Sequence, residues 1–191
     1  MKMNLLELVQ DIGNDLDSDE INSIDDTTES QQIAQIVKST YFAMMSNRNW
    51  PHLKRALQIT ASGDLTYPTH MKLEDEVKEL SFINYNSARL GTTTKQYMRL
   101  TWVEPDDFLR VLNNRRSDAG NVDTIVDPSG VELFIVNDQP PQYYTSFDDS
   151  TIIFDAYDRS VDLTLQSSKT QASGYIIPEW LPTDDYIPDL P

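Results

Sequence analysis

The sequence predicts an α+β fold, in which helices come first and a mainly antiparallel, β-rich region follows. In the first fifty residues, apolar positions recur at three- and four-residue spacing, the period of an α-helix. From about residue 54 the spacing becomes alternating, with turn residues between short apolar runs, which is typical of strands. We therefore divide the chain into a helical hairpin (1–53), a β-rich region (54–177) and an extended, Pro-rich acidic tail (178–191).

The first predicted helix is a short amphipathic segment. Its apolar face consists of Leu5, Leu8, Val9, Ile12 and Leu16. The acidic run from Asp15 to Glu20 breaks this pattern and predicts a turn.

The second predicted helix begins at Asp26–Glu29, where the Asp26 carboxylate is placed to accept hydrogen bonds from free backbone N–H groups. Its apolar stripe consists of Ile33, Ile36, Val37, Tyr41, Met44 and Met45. Two such helices joined by a turn are expected to pack as an antiparallel pair.

The β-rich region begins with four predicted strands and one helix. The strands lie at 55–60, 71–73, 79–85 and 97–103, and the last of these alternates well enough for one half-buried strand. A short helix near 105–115 opens at Pro105, a residue favoured in the first helical turn.

The second half of this region contains the clearest hairpin, Val122–Val136. Asp127, Pro128 and Gly130 occupy the positions that a type I turn favours. Further strands are predicted at 143–147 and 150–154, and a final extended pair at 163–166 and 175–177.

Two regions of the chain carry a family resemblance. The first comprises the leading helix LLELVQDI, the break at Ile21–Ile24 and the helix QQIAQIVKSTYFAMMSNRNW. The second is Thr145–Asp158, followed by LTLQSSKTQASGYIIPEW. Together these regions, a little over half of the chain, resemble the head-to-tail connector or adaptor proteins of short-tailed bacteriophages, the tail tubular protein A-like family.

The resemblance implies a structural virion protein, assembled in the host cytoplasm and located in the neck of the phage particle. It implies a ring, with twelve copies as the expected number, between the portal protein and the tail nozzle or tail fibre protein. DNA would pass through this ring without specific binding. It also implies a helical bundle that carries a β-rich insertion and is completed by a long C-terminal helix. Here the sequence stops at Pro191, where that helix is expected to begin. Either the C-terminal helix is absent from the chain as given, or the bundle is completed differently.

Composition supports a folded protein of acidic character. The 191 residues are 39% hydrophobic, and no apolar run approaches the length of a membrane span, so we expect no membrane partner. The chain has no cysteine, which excludes disulfides and thiolate catalysis. The net charge of −16 argues against electrostatic wrapping of DNA. It fits either simple solubility or a passage that repels the DNA it conducts.

Motifs for chemistry are weak, and we expect neither an enzyme nor a cofactor or metal site. His52 and His70 are the only imidazoles, and no Gly-rich phosphate loop is present. The alternating acids Asp15, Asp17 and Asp19 begin like a calcium loop, but Glu20 stands where the turn glycine belongs. Two alternatives to the adaptor stay open: a small acidic binding module, for example a DNA mimic, and a hydrolase. The hydrolase would use paired carboxylates drawn from Asp148, Asp149, Asp155 and Asp158.

Candidate interface residues lie mainly in the tail. They are Trp180, Leu181, Tyr186, Ile187 and Leu190. Apolar residues in a segment that cannot fold alone indicate either docking onto another protein or packing on the parent domain. Arg115 and Arg116 are added because a basic pair at a helix end can contact phosphate, but more often caps carbonyls or meets an acidic neighbouring subunit. Trp50 and Trp102 are expected in the core.

Overall fold

A computed structural model of the chain describes residues 2–88, 92–148 and 150–190. Met1, Asp149 and Pro191, which belong to predicted segments, lie outside the described residues. The described chain is a mixed α+β protein with two helices at its N-terminus and sheets rich in antiparallel pairs. It forms two compact units: a helical unit of residues 1–54 with 176–191, and a β unit of residues 55–175.

Helix α1 (Leu5–Asp15) begins with a reciprocal cap. The Asn4 side chain accepts a hydrogen bond from the Glu7 amide at 2.8 Å, and the Glu7 carboxylate accepts one from the Asn4 amide at 2.9 Å. Leu5 and Val9 are fully buried, as the apolar spacing predicts. The prediction is wrong for Leu16, which is exposed because the helix has already ended at the residue before it.

Helix α2 (Thr28–Ser46) is capped by Thr27 and not by Asp26, which corrects the sequence prediction. The Thr27 hydroxyl accepts from the Ser30 amide at 3.0 Å, and the Ser30 hydroxyl accepts from the Thr27 amide at the same distance. The Asp26 carboxylate instead accepts from the Asn22 amide in the preceding turn. Both residue types suit a cap, and the one nearer the first helical turn takes the position.

The buried stripe of α2 is narrower than the sequence predicts. Ile33, Tyr41 and Met45 are buried, but Ile36 is 63% exposed and Met44 is 43% exposed. The spacing of apolar residues cannot say how wide a contact the neighbouring elements make, and here they cover only part of the predicted stripe.

The strands of the β unit are short. They are β1 (Lys54–Leu57), β2 (Thr60–Ala61), β3 (His70–Lys72), β4 (Val77–Asn86), β5 (Tyr97–Arg99), β6 (Thr101–Trp102), β7 (Val122–Val126), β8 (Glu132–Val136), β9 (Tyr143–Thr145), β10 (Thr151–Phe154) and β11 (Thr170–Ile176). One sheet has the order β1-β11-β4-β5, the second has the order β2-β3-β10-β9-β6, and β7 and β8 form a separate hairpin.

Two segments of the chain pass from one sheet to the other. Residues 54–61 supply β1 to the first sheet and β2 to the second, and residues 97–102 supply β5 and β6 in the same way. The predicted single strands at 55–60 and 97–103 are therefore each divided in two. The residue at each bend, Ile59 or Leu100, is buried in the shared core. Alternation indicates which residues face inward, but it does not reveal a change of partner strand.

The β7–β8 hairpin forms as the sequence predicts. Val122 pairs with Val136 and Val126 with Glu132. The Gly130 amide donates to the Asp127 carbonyl at 2.7 Å, and Gly130 has a φ of +87°, a left-handed conformation that glycine adopts without strain. Helix α3 (Pro105–Asn113) starts at Pro105 as predicted and buries Phe108 and Leu112.

Of the predicted final pair of strands only the second member forms, since Tyr175 and Ile176 are the end of strand β11. Residues 163–166 form no strand, and the Leu165 amide donates to the Pro68 carbonyl. The strand that forms is β11, which begins at Thr170 and lies between β1 and β4. Gly174 allows this placement, because a Cβ there would stand 2.4 Å from the Glu79 carbonyl oxygen. Among the described residues, no helix combines the length and hydropathy that a membrane span requires.

Candidate docking surface on the helical unit

The C-terminal segment, residues 178–190, is hydrogen-bonded to the start of α1. The amides of Leu5 and Leu6 donate to the carbonyls of Tyr186 and Asp184, at 2.7 and 3.2 Å. The first amides of any helix lack partners within the helix and need acceptors from elsewhere. The Asn4 side chain supplies one acceptor, and the C-terminal segment supplies these two, so the segment completes the helix cap.

Asp184 also holds the turn between the two helices. One carboxylate oxygen, Oδ1, accepts from the Ile24 amide at 2.9 Å and from the Ser23 hydroxyl at 3.2 Å. The backbone and the side chain of one residue therefore fix both the start of α1 and the approach to α2. Because hydrogen bonds to a charged group are stronger than neutral ones, Asp184 is a main anchor of the segment.

Trp180 and Tyr186 pack within their own unit. The Trp180 ring lies 5.5 Å from Tyr41 and 6.3 Å from Phe42, both on α2, and 5.1 Å from Tyr186 in a T-shaped arrangement. Tyr186 donates its hydroxyl to the Glu179 carbonyl at 2.5 Å. Burial raises the pKa of Tyr41. Burial, together with the contact of its hydroxyl with Tyr41, also raises the pKa of Tyr186. Of the two arrangements that the sequence leaves open for these two residues, the chain adopts packing on the parent domain.

The other three predicted tail residues point outward. Leu181, Ile187 and Leu190 are each more than a third exposed. Their backbone is held in place, since the Asp189 carbonyl lies 3.0 Å from His52 Nε2. Beside the segment lies a cleft of about 180 Å³, lined by residues of α1, α2 and the tail that include Lys38, Trp180 and Pro182. Exposed apolar side chains on a fixed backbone, next to a cleft, suit protein docking, because little ordering entropy remains to be lost.

Arg115 and Arg116 have different environments in the β unit. The Arg115 guanidinium donates to the carbonyls of Phe134 and Asp155, at 3.0 and 2.6 Å, and to the Asp155 carboxylate at 2.7 Å. Its side chain is 15% exposed, so these internal bonds occupy it. Arg116 is 81% exposed and forms a surface ion pair with Asp118. Only Arg116 of this pair is therefore placed for contact with a partner.

The two remaining tryptophans lie nearer the surface than the sequence predicts. Trp102 is 44% exposed on the edge strand β6, where its ring meets Tyr144 edge to face, so the expectation of a core residue is wrong. Trp50 is half-buried, donates its ring N–H to the Met44 carbonyl at 3.0 Å, and lies under the Arg48 guanidinium. Trp102 is thus a surface aromatic that the alternating pattern assigned to the interior. The nearby Pro105 was the one available signal that the strand is short.

The surroundings of His70 are not those of the base in a serine–histidine pair. His70 is buried, and its Nε2 atom lies 2.9 Å from the carboxylate of Asp127. The Ser129 hydroxyl donates to this same carboxylate and not to the imidazole. A nucleophile needs direct contact with the base that activates it, and Ser129 lacks that contact. The geometry instead ties the β7–β8 turn to strand β3.

Two carboxylates of the hydrolase alternative, Asp148 and Asp155, serve local structure. Asp155 is 1% exposed and accepts from the amides of Gln142 and Tyr143 as well as from Arg115. Asp148 accepts from the amides of Ser150 and Thr151, and these bonds outweigh burial and lower its pKa. The general acid of a glycoside hydrolase needs a raised pKa, so Asp148 does not suit that one role. Within the described ranges, no three His, Asp or Glu side chains converge as metal ligands.

Comparison with known protein families and with curated proteins found no match to this chain.

Proposed function

We propose that this chain is a structural head-to-tail adaptor of a short-tailed bacteriophage. In this function it forms a ring between the portal protein and the tail nozzle or tail fibre protein, and the ring surrounds the path of the DNA. The resemblance of the two sequence regions motivates the proposal. The observation that carries it furthest is the C-terminal segment, which is fixed on the helices and displays Leu181, Ile187 and Leu190 outward.

The helical unit is the part that we assign to the portal. Its tail is pinned at three places, by the start of α1, by the turn before α2 and by His52. A pre-ordered segment of this kind can enter a groove of a partner without a large entropic cost. We assign the helix pair to a bundle, as the sequence resemblance implies, and the β unit to the face that receives the tail.

The net charge of −16 is compatible with a DNA conduit. Phosphate binding requires cationic side chains, and a surface dominated by carboxylates gives DNA few places to bind during passage. The same charge keeps unassembled copies soluble. It also fits the acidic binding module, so charge alone does not separate the two functions.

Native mass spectrometry of the full chain with the portal ring from the same phage tests this proposal. We expect uptake of one copy per portal subunit. A variant in which Leu181, Ile187 and Leu190 are all changed to Ser is expected to lose that uptake. A control with Leu163→Ser, a leucine of the β unit that is 64% exposed, is expected to keep it.

A portal ring that stays bare at both low and high salt would refute the adaptor function. The chain would then be tested against small basic proteins, because tight binding there, as a monomer or dimer, is what an acidic binding module predicts.

A further inference from the structure

The exposed face of α2 is unusual for this chain in carrying almost no charge. From Ser30 to Gly63 the sequence contains no aspartate or glutamate, although the whole chain has 31 acidic residues. Along α2 the exposed residues are Thr28, Glu29, Gln31, Gln32, Gln35, Ile36, Ser39, Thr40, Ala43, Met44 and Ser46. The one charged residue of this set, Glu29, lies in the first turn, where it complements the helix dipole.

An exposed helix face normally carries charged residues, because it faces water. Depletion of charge at the centre of a surface is instead typical of protein interfaces, in which methionine is also enriched. Ile36 and Met44 are the exposed apolar residues of this face. The base nearest to it is Arg48, whose guanidinium lies over the Trp50 ring and forms no ion pair with any residue that the structure describes. Lys38 instead lines the cleft beside the C-terminal segment.

The end of α1 has the opposite character and is strongly acidic. Asp11 and Asp15 lie four residues apart on one helix, where like charges repel. Asp15 also stands in the last turn, at the negative end of the helix dipole, and no base accompanies it there. Asp19 and Glu20 follow, and the apolar side chain of Leu16 projects from the middle of this acidic group.

We infer that the outer face of α2 in one copy binds the acidic end of α1 in a second copy. Arg48 would then meet the carboxylates of the second copy, while Ile36 and Met44 meet Leu16. Two copies with a charge of −16 each repel one another over most of their surfaces, so the face without acids is where close approach costs least. A contact between two different faces is heterologous, and it closes into a ring or extends into a filament.

This inference rests on the proposed adaptor ring and names the surfaces that join its copies. The chain has no cysteine, so single-cysteine variants place one thiol each at a chosen site. The test mixes a tagged Leu16→Cys chain with an untagged Met44→Cys chain, adds a short bismaleimide linker, and counts the products by mass. Both positions are exposed, and a Val126→Cys chain, exposed on the β unit, is the control.

We expect products that join position 16 to position 44, both at high protein concentration and on the portal ring, and none with position 126. The charge-reversal variant Arg48→Glu is expected to lower the yield about threefold to fivefold, as for a solvent-exposed ion pair. Adding Asp15→Arg to that variant is expected to restore it. Raising the salt concentration should lower the yield of the unaltered pair, because exposed charges are screened.

Products that join only 44 to 44 would overturn the inference, since they indicate an α2–α2 dimer. Products that join 44 to the portal protein, or no product in chains that occupy every portal site, would also overturn it while leaving the adaptor function intact. If the portal stays bare but the 16–44 product forms in solution, the self-contact stands and the adaptor function fails.

Discussion

Replacement of Arg115 by methionine tests whether this residue stabilises the β unit. The change removes the three hydrogen bonds to Phe134 and Asp155 and leaves the Asp155 carboxylate, 1% exposed, without its cationic partner. Breaking a buried ion pair in this way costs roughly 3–5 kcal/mol. Asp155 keeps the bonds from the Gln142 and Tyr143 amides, so we expect about 3 kcal/mol, at the lower end of that range.

The matched control is Arg116→Met, one residue away in the sequence. Arg116 and Asp118 are both largely exposed, and such a surface pair contributes only about 0–1 kcal/mol. Urea unfolding, with hydrogen exchange at the amides of β9 and β10 as the local readout, gives the free energy of unfolding for each variant. For a β unit of roughly 120 residues, the expected loss lowers Tm by about 10 °C.

A difference between the two variants of less than about 1 kcal/mol would refute this reasoning, because the buried pair would then add no more than a surface pair does. Arg115→Lys is a second check. Lysine keeps the charge but lacks the planar fork that reaches two acceptors at once, so we expect an intermediate loss.

Three further predictions concern other parts of the molecule. Gly174→Ala places a Cβ 2.4 Å from the Glu79 carbonyl oxygen and should destabilise the β unit by about 1–3 kcal/mol in urea unfolding. The control Gly120→Ala has open space around the new Cβ and should not destabilise it. Trp180→Ala should lower the free energy of unfolding of the helical unit by about 3 kcal/mol, measured by circular dichroism at 222 nm. The control is Leu181→Ala at an exposed site, and an equal loss for that variant would contradict the prediction. Burial acts to raise the pKa of Asp127, but hydrogen bonds from Ser129 and His70 outweigh it and hold that pKa below 3.8. Asp127→Asn should therefore cost about 1 kcal/mol at neutral pH, and the cost should fade as pH falls below 3.8; a cost that persists at low pH would show that the charge is not its source.

Local patterns in the sequence were enough to predict the elements that depend on neighbours along the chain. Helix α3 starts at Pro105, and the β7–β8 hairpin turns at Asp127–Gly130, both as predicted. The preferences involved act within four or five residues: the fixed φ of proline and the left-handed φ of glycine. The order of helices and strands, and hence the α+β class, follows from the same short-range signals.

The sequence predicts which tail residues are candidates for an interface, but not which way their side chains face. Five tail residues were chosen because they are apolar in an acidic, Pro-rich segment, and the chain turns Trp180 and Tyr186 inward while Leu181, Ile187 and Leu190 face outward. Nothing within the segment distinguishes these two sets. The segment is fixed because its carbonyls accept hydrogen bonds from the first amides of α1. Those amides lie almost the whole length of the chain away from the segment.

The α+β class, the start of α3, the β7–β8 hairpin, the acidic charge and the absence of thiols follow from the sequence alone. Other features depend on the tertiary structure. Residues 97–102 contribute strands to two sheets, and Ile36 and Met44 are left exposed. Arg115 is bonded internally, whereas Arg116 is exposed. The physical reason is the range of the interactions. Helix periods, turns and caps are set by near neighbours, whereas burial and the choice of hydrogen-bond partner are set by whichever distant segments the folded chain brings alongside.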